Sequence, residues 1–151
     1  MSEIICALRG GPDSRATIRR ALTLAQETSL PLHFLYVVSR DLVPDTTSCS
    51  ANTVKERLRQ MGSSMVLVAQ AIANSHDIPA RSAVRYGCVE DEIAGLCQDV
   101  NASYLVLSQP HDHRETSVFT PDRLVRFRAR IEREAGVELV LAEGYGPSPS
   151  S

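Results

Sequence analysis

The chain is organised around IICALRGGPDS, residues 4–14. Its five apolar residues, from Ile4 to Leu8, predict a buried strand of a parallel sheet, because such strands are covered on both faces. Gly10 and Gly11 predict a tight turn, and the proline, aspartate and serine that follow are typical of a helix start. In an open α/β sheet, a passage of this kind commonly borders the crevice in which ligands bind.

Apolar periodicity extends this pattern along the chain. Further strands are predicted at residues 32–38, 80–86, 103–107 and 137–142, and helices at about 14–28, 52–75, 89–99 and 121–135. The strict alternation of strand and helix predicts an α/β fold, a parallel sheet with helices on both faces. The strand at 80–86 alternates apolar and polar residues, which favours an edge position.

The helix at 52–75 has two features of its own. Gly62 is expected to weaken or bend it in the middle. Its apolar residues recur at helical spacing, which predicts one buried face made of Val54, Leu58, Met61, Met65, Val68 and Ile72.

Length and composition predict one globular domain. The chain has 151 residues, of which 43% are hydrophobic and 23% charged. We assign residues 1–143 to this domain and residues 144–151, rich in Gly, Pro and Ser, to a flexible C-terminal tail. The formal net charge of -2 argues against a general polyanion binder. The sequence shows neither a long apolar run nor a signal peptide, so we expect a cytoplasmic protein without a membrane partner.

Cysteine spacing gives no sign of a metal site. Cys6, Cys49, Cys88 and Cys97 form neither a CxxC pair nor a zinc-finger pattern. Cys6 and Cys97 occupy apolar periodic positions, so we expect both thiols to be buried as small hydrophobic side chains.

Three stretches together resemble the universal stress protein family. They are residues 4–25, with the double glycine and the helix pattern Ser14-x-x-Thr17-x-x-x-Ala21; residues 78–93, IPARSAVRYGCVEDEI; and residues 101–107, NASYLVL. The resemblance implies a Rossmann-like, open five-stranded parallel sheet of order 3-2-1-4-5, with a crevice between the ends of strands 1 and 4. It also implies a homodimer that pairs the last strands, here Val137–Ala142.

The sequence departs from the ATP-binding members of that family. Those members carry an Asp at the end of strand 1, where this chain has Arg9. They follow strand 4 with G-x2-G-x9-G-[ST], whose glycines let backbone N–H groups approach the phosphates. The corresponding run here begins SQPHDHRET at residue 108, and no glycine occurs between Gly95 and Gly136. The resemblance therefore implies the fold without the standard ATP site, and no cofactor is predicted.

The alternative to a chain without a cofactor is a crevice that binds a ligand through residues different from those of the family motif. Two loops are predicted to meet at the ends of strands 1 and 4, and their polar residues form a candidate anion or nucleotide site for ATP or another phosphate-bearing ligand. This candidate site consists of Arg9, Gly10, Gly11, Ser108, His111 and Arg114. His111 and His113 also resemble a pair of metal ligands, but no third ligand is identified, so no metal site is predicted. A solvated loop without a ligand is the simplest interpretation.

The last predicted helix carries a stripe of Arg123, Arg126, Arg130 and Arg133. Such a stripe is compatible with an acidic partner or nucleic acid. Because Glu132 and Glu134 lie nearby and no aromatic residues accompany it, we favour a solvated face and predict no nucleic-acid partner.

The sequence predicts no catalytic residues, since no G-x-S-x-G elbow is present. We therefore expect a regulatory or protective protein that acts through protein contacts and is not an enzyme. A nucleotide- or anion-binding module is the second hypothesis, and a nucleotide hydrolase the third.

Overall fold

The computed structural model describes residues 2–8, 13–39, 49–108 and 121–142. Strands and helices alternate throughout, as predicted. The elements are β1 (Ile4–Leu8), α1 (Asp13–Thr28), β2 (Leu32–Ser39), α2 (Cys49–Ser75), β3 (Ala80–Gly87), α3 (Val89–Asp99), β4 (Tyr104–Ser108), α4 (Pro121–Ala135) and β5 (Glu138–Ala142). The tail predicted at residues 144–151 lies outside the described residues, and the assignment of residues 1–143 to one domain stays a prediction.

The five strands form one parallel sheet. Their order is β3-β2-β1-β4-β5, which confirms the predicted topology and the edge position of β3. Ile4 of β1 pairs with Leu32 on one side and with Tyr104 on the other. The chain therefore places β2 and β3 on one side of β1, and β4 and β5 on the other. The strand order reverses between β1 and β4.

The sheet separates two apolar cores. Alternation along β1 directs Ile4, Cys6 and Leu8 toward α1 and α2, and it directs Ile5 and Ala7 toward α3 and α4. Helices α1, α3 and α4 each turn an apolar face to one of these cores, since Ala21, Ile93 and Phe127 are each at most 2% exposed.

Cys6 and Cys97 are fully buried, as expected. Burial raises the pKa of both thiols, that of Cys97 to about 12. Both therefore remain neutral and behave as small apolar side chains.

Helix α2 corrects two predictions. It begins at Cys49, three residues before the predicted start, and its buried face is rotated from the predicted one. Gly62, Val66, Ala69 and Ala73 are buried, while the predicted Leu58, Met65 and Ile72 are partly buried and pack against the same core. Met61 and Val68 are 59% and 58% exposed, so their assignment to the core was wrong. Residues 60–75 contain no charged side chain, and apolar periodicity therefore fitted more than one face.

Gly62 does not interrupt α2, which is helical from Cys49 to Ser75. A Cβ at this position would lie 2.2 Å from Cδ1 of Tyr36 on β2. The expected weak point is instead a place where the helix lies close to the sheet, and only glycine leaves room for the tyrosine ring.

Candidate functional site

The candidate crevice lies at the carboxyl ends of β1 and β4. These strands are adjacent and parallel, and the chain leaves them toward opposite faces of the sheet, since α1 packs in one core and α4 in the other. Ligands of open α/β sheets bind where neighbouring connections diverge in this way. The strand order therefore reverses between β1 and β4, the position at which the sequence predicts the crevice.

A buried pair of hydroxyls lies at this end of β4. Ser108, the last residue of β4, is 7% exposed, and Thr17 on α1 is fully buried. Their side-chain oxygens are 2.6 Å apart and share a hydrogen bond. Ser108 was predicted to open a polar loop, but the strand extends one residue further and holds its side chain against α1.

Of the six predicted crevice residues, the structure describes Ser108. The other five, Arg9, Gly10, Gly11, His111 and Arg114, lie outside the described residues, as does His113, so their part in a site stays a prediction. Sequence reasoning missed Thr17. A signal was available, because Thr17 lies one helical turn before the buried Ala21, and a polar side chain on an inward face needs a polar partner.

A second polar cluster lies at the opposite, amino-terminal edge of the sheet. Glu3 is 7% exposed, and its carboxylate accepts hydrogen bonds from Arg81 Nη2 at 2.6 Å and Nε at 3.3 Å. His33 is buried beside it, with Nδ1 3.9 Å from the nearer Glu3 oxygen, and neither ring nitrogen has a hydrogen-bond partner among the described residues. Burial lowers the pKa of His33, with Arg81 and Arg85 acting in the same direction, while Glu3 raises it. The imidazole is therefore held neutral.

The arginine stripe of α4 is partly occupied by contacts with α3. Arg130 Nη1 lies 2.8 Å from Asp91, and Arg123 Nη2 lies 2.9 Å from Glu90 Oε1 without hydrogen-bond alignment. The acidic first turn of α3 thus faces two of the four arginines. Arg126 and Arg133 remain exposed.

Other kinds of site find no support in the described part of the chain. No three His, Cys, Asp or Glu side chains there are close enough to hold a metal ion. No helix in these ranges combines the length and apolar character needed to cross a membrane. An open depression of about 360 Å³ lies at the amino-terminal edge of the sheet, away from the crevice, and is lined by Thr28, Leu30, Ser103, Tyr104, Gly136 and Glu138.

Comparison with known families assigns this fold. A sequence model described as the universal stress protein family matches residues 1–119. The chain belongs to this family. Universal stress proteins are generally not classical enzymes. A comparison with curated proteins gave no match.

Solved universal stress proteins share the architecture. One from Burkholderia pseudomallei is 20% identical, with a TM-score of 0.69 over 93% of this chain and 94% of that chain. One from Archaeoglobus fulgidus, in complex with dAMP, is 13% identical, with a TM-score of 0.59 over 94% and 98%. One from Arabidopsis thaliana, with AMP bound, is 13% identical, with a TM-score of 0.61 over 99% and 97%. At these identities the likeness shows the fold alone.

Proposed function

We propose that this universal stress protein is regulatory or protective, acts through contacts with other proteins, and does not bind ATP in the standard manner of its family. It catalyses no reaction of its own in this proposal. The observation that carries the proposal is the buried Thr17–Ser108 pair at the end of β4.

A bound phosphate needs hydrogen-bond donors and room close to the backbone. Glycines after strand 4 allow a ligand to come close to backbone N–H groups. Here the first glycine of the motif is replaced by Ser108, whose hydroxyl is already engaged with Thr17. Pro110, two residues later, has no N–H to donate. The end of β4 therefore offers a phosphate fewer donors and less room than the family motif does.

Homodimerisation is part of the proposal. Strand β5 pairs on one side with β4 and is the last strand of the described sheet, and Glu138 at its start is exposed. An edge strand presents unpaired backbone groups that a second copy can complete. We therefore place the dimer at Val137–Ala142. Sedimentation at micromolar concentration is expected to give at least twice the chain mass, and a monomer contradicts this part of the proposal.

A phosphate-bearing ligand in the crevice is the second candidate function. The relatives solved with dAMP and AMP favour it, as does the run of Arg9, Gly10 and Gly11 directly before α1. In this case Arg9 supplies the charge and the two glycines give access to the backbone.

Thermal unfolding in the presence of ligands distinguishes the two candidates. A ligand at one hundred times its dissociation constant stabilises the folded state by about 2.7 kcal/mol. We expect no concentration-dependent rise in Tm with ATP and Mg²⁺, with AMP, or with phosphate. A rise with AMP or phosphate that is abolished by Arg9→Ala supports the second candidate. The matched control is Arg19→Ala, which removes an exposed arginine further along α1.

A further inference from the structure

The outward side of α2 carries a seam of residues with heptad spacing. Its members are all exposed and recur alternately every four and three residues: Arg57, Met61, Ser64, Val68, Ala71 and Ser75. This spacing places them on one line along the helix, the arrangement by which two helices pack together. We refer to these six residues as the α2 seam.

The middle of the seam exposes large apolar side chains. Met61 and Val68 are more than half exposed, and Leu67 beside them is 56% exposed. No residue from 60 to 75 is charged, although the outward side of a surface helix is ordinarily polar. The other exposed large hydrophobic residue in the described ranges is Val125 on α4. Exposed apolar side chains are therefore concentrated on this one helix.

The α2 seam is complementary to the seam of a second copy that runs in the opposite direction. When two copies of α2 are laid antiparallel about a twofold axis near residue 66, Met61 faces Ala71 and Ser64 faces Val68. Each larger side chain then meets a smaller one, which permits close packing. A parallel arrangement lacks this match, because it sets each residue against itself.

The charges at the ends of the seam agree with the same register. Arg57 of one copy faces Ser75 of the other, at the carboxyl end of α2, where the helix dipole is negative. Asp77 is exposed just beyond that end. Arg57 has no ion-pair partner among the described residues of its own chain. The antiparallel register therefore supplies this arginine with a negative neighbour at each end of the interface.

We propose that a second copy of this chain docks its α2 antiparallel on the α2 seam. The contact is isologous, so the same surface serves both copies. It extends about 27 Å, from the rise of about 1.5 Å per residue, and one helix pair covers less than the roughly 800 Å² per partner of a standard interface. The association is consequently weak and depends on concentration. It is separate from pairing at β5, because α2 packs over β2 and β3, which lie toward the edge of the sheet opposite β5.

Sedimentation of the full chain tests the surface. Val68→Glu places a charge in the centre of the seam, and Val125→Glu makes the same change at an exposed valine elsewhere. At high concentration Val68→Glu is expected to show half the mass of the wild type, and Val125→Glu the wild-type mass. If β5 pairing also occurs, the wild type is expected to form assemblies larger than two chains, and Val68→Glu is expected to stop at two. Equal masses for the wild type and Val68→Glu at every concentration overturn the proposal.

Disulfide trapping tests the register. Met61→Cys combined with Ala71→Cys is expected to give a covalent dimer on mild oxidation. Each single variant is the control, because like positions lie about 15 Å apart in this register, too far for a disulfide. The wild type controls for the native cysteines. Cross-linking of the double variant no faster than of the single variants overturns the proposal. Binding to anionic vesicles is a separate test: a wild-type protein that is monomeric and binds the vesicles in a Val68-dependent manner also overturns the proposal.

Discussion

Gly62→Ala gives the sharpest test of how α2 is seated on the sheet. The new methyl group would lie 2.2, 2.7 and 2.8 Å from three carbon atoms of the Tyr36 ring. Contacts this short require the ring or the helix to shift within a packed core. Two effects of opposite sign compete, since alanine also favours helix formation over glycine.

The magnitudes indicate which effect prevails. Replacing glycine by alanine inside a helix contributes about 1 kcal/mol of stability when the site is open. Overpacking a core typically costs about 1–3 kcal/mol. Because the closest approach is far inside van der Waals contact, we take the upper end and expect a net loss of about 2 kcal/mol.

Gly95→Ala in α3 is the matched control. Its Cβ would meet Arg85 Nη1 at 3.8 Å, an ordinary contact, so we expect a gain of up to about 1 kcal/mol. Urea denaturation of the wild type and both variants measures the difference. In a double-mutant cycle, Tyr36→Val should make Gly62→Ala less costly by at least about 1 kcal/mol. A Gly62→Ala protein as stable as the wild type refutes the reasoning.

Two further predictions concern buried polar groups. Thr17→Val leaves the Ser108 hydroxyl without this partner and should lower the free energy of unfolding by about 1–3 kcal/mol. Adding Ser108→Ala should recover part of this loss. Strict additivity of the two changes in denaturation experiments contradicts a direct hydrogen bond. Burial lowers the pKa of His33 below its unfolded value of 6.5. The neutral imidazole therefore contributes stability above pH 6.5, and this contribution is lost as the pH falls through the lower pKa of the folded state. The free energy of unfolding should therefore fall more steeply between pH 7.5 and 5 in the wild type than in His33→Leu, and parallel curves exclude this role.

The regular part of the fold was predictable because its patterns admit one solution. On α1 and α4, polar residues surround a single apolar stripe, and that stripe is buried. Helix α2 differs, since its second half carries no charge to mark the outward side. Packing decided the orientation there: Gly62 allows the helix to lie close to Tyr36, and Ala69 is fully buried.

The polar clusters were harder to predict because they join distant parts of the chain. Glu3 and Arg81 are separated by 78 positions, and only the sheet register, which sets His33 beside Arg81, brings the three side chains together. Thr17 and Ser108 are likewise 91 positions apart. Periodicity identifies the element on which such a residue lies, but not its partner across the sheet.

Calorimetric titration of the wild-type protein with ATP and Mg²⁺ tests the central claim most directly. The account predicts no saturable heat at ligand concentrations up to the high micromolar range, because the glycines of the family motif are absent after β4 and the Ser108 hydroxyl is already bonded to Thr17. Saturable binding of one ATP per chain contradicts the claim and shows that the crevice holds a nucleotide without the glycines of that motif.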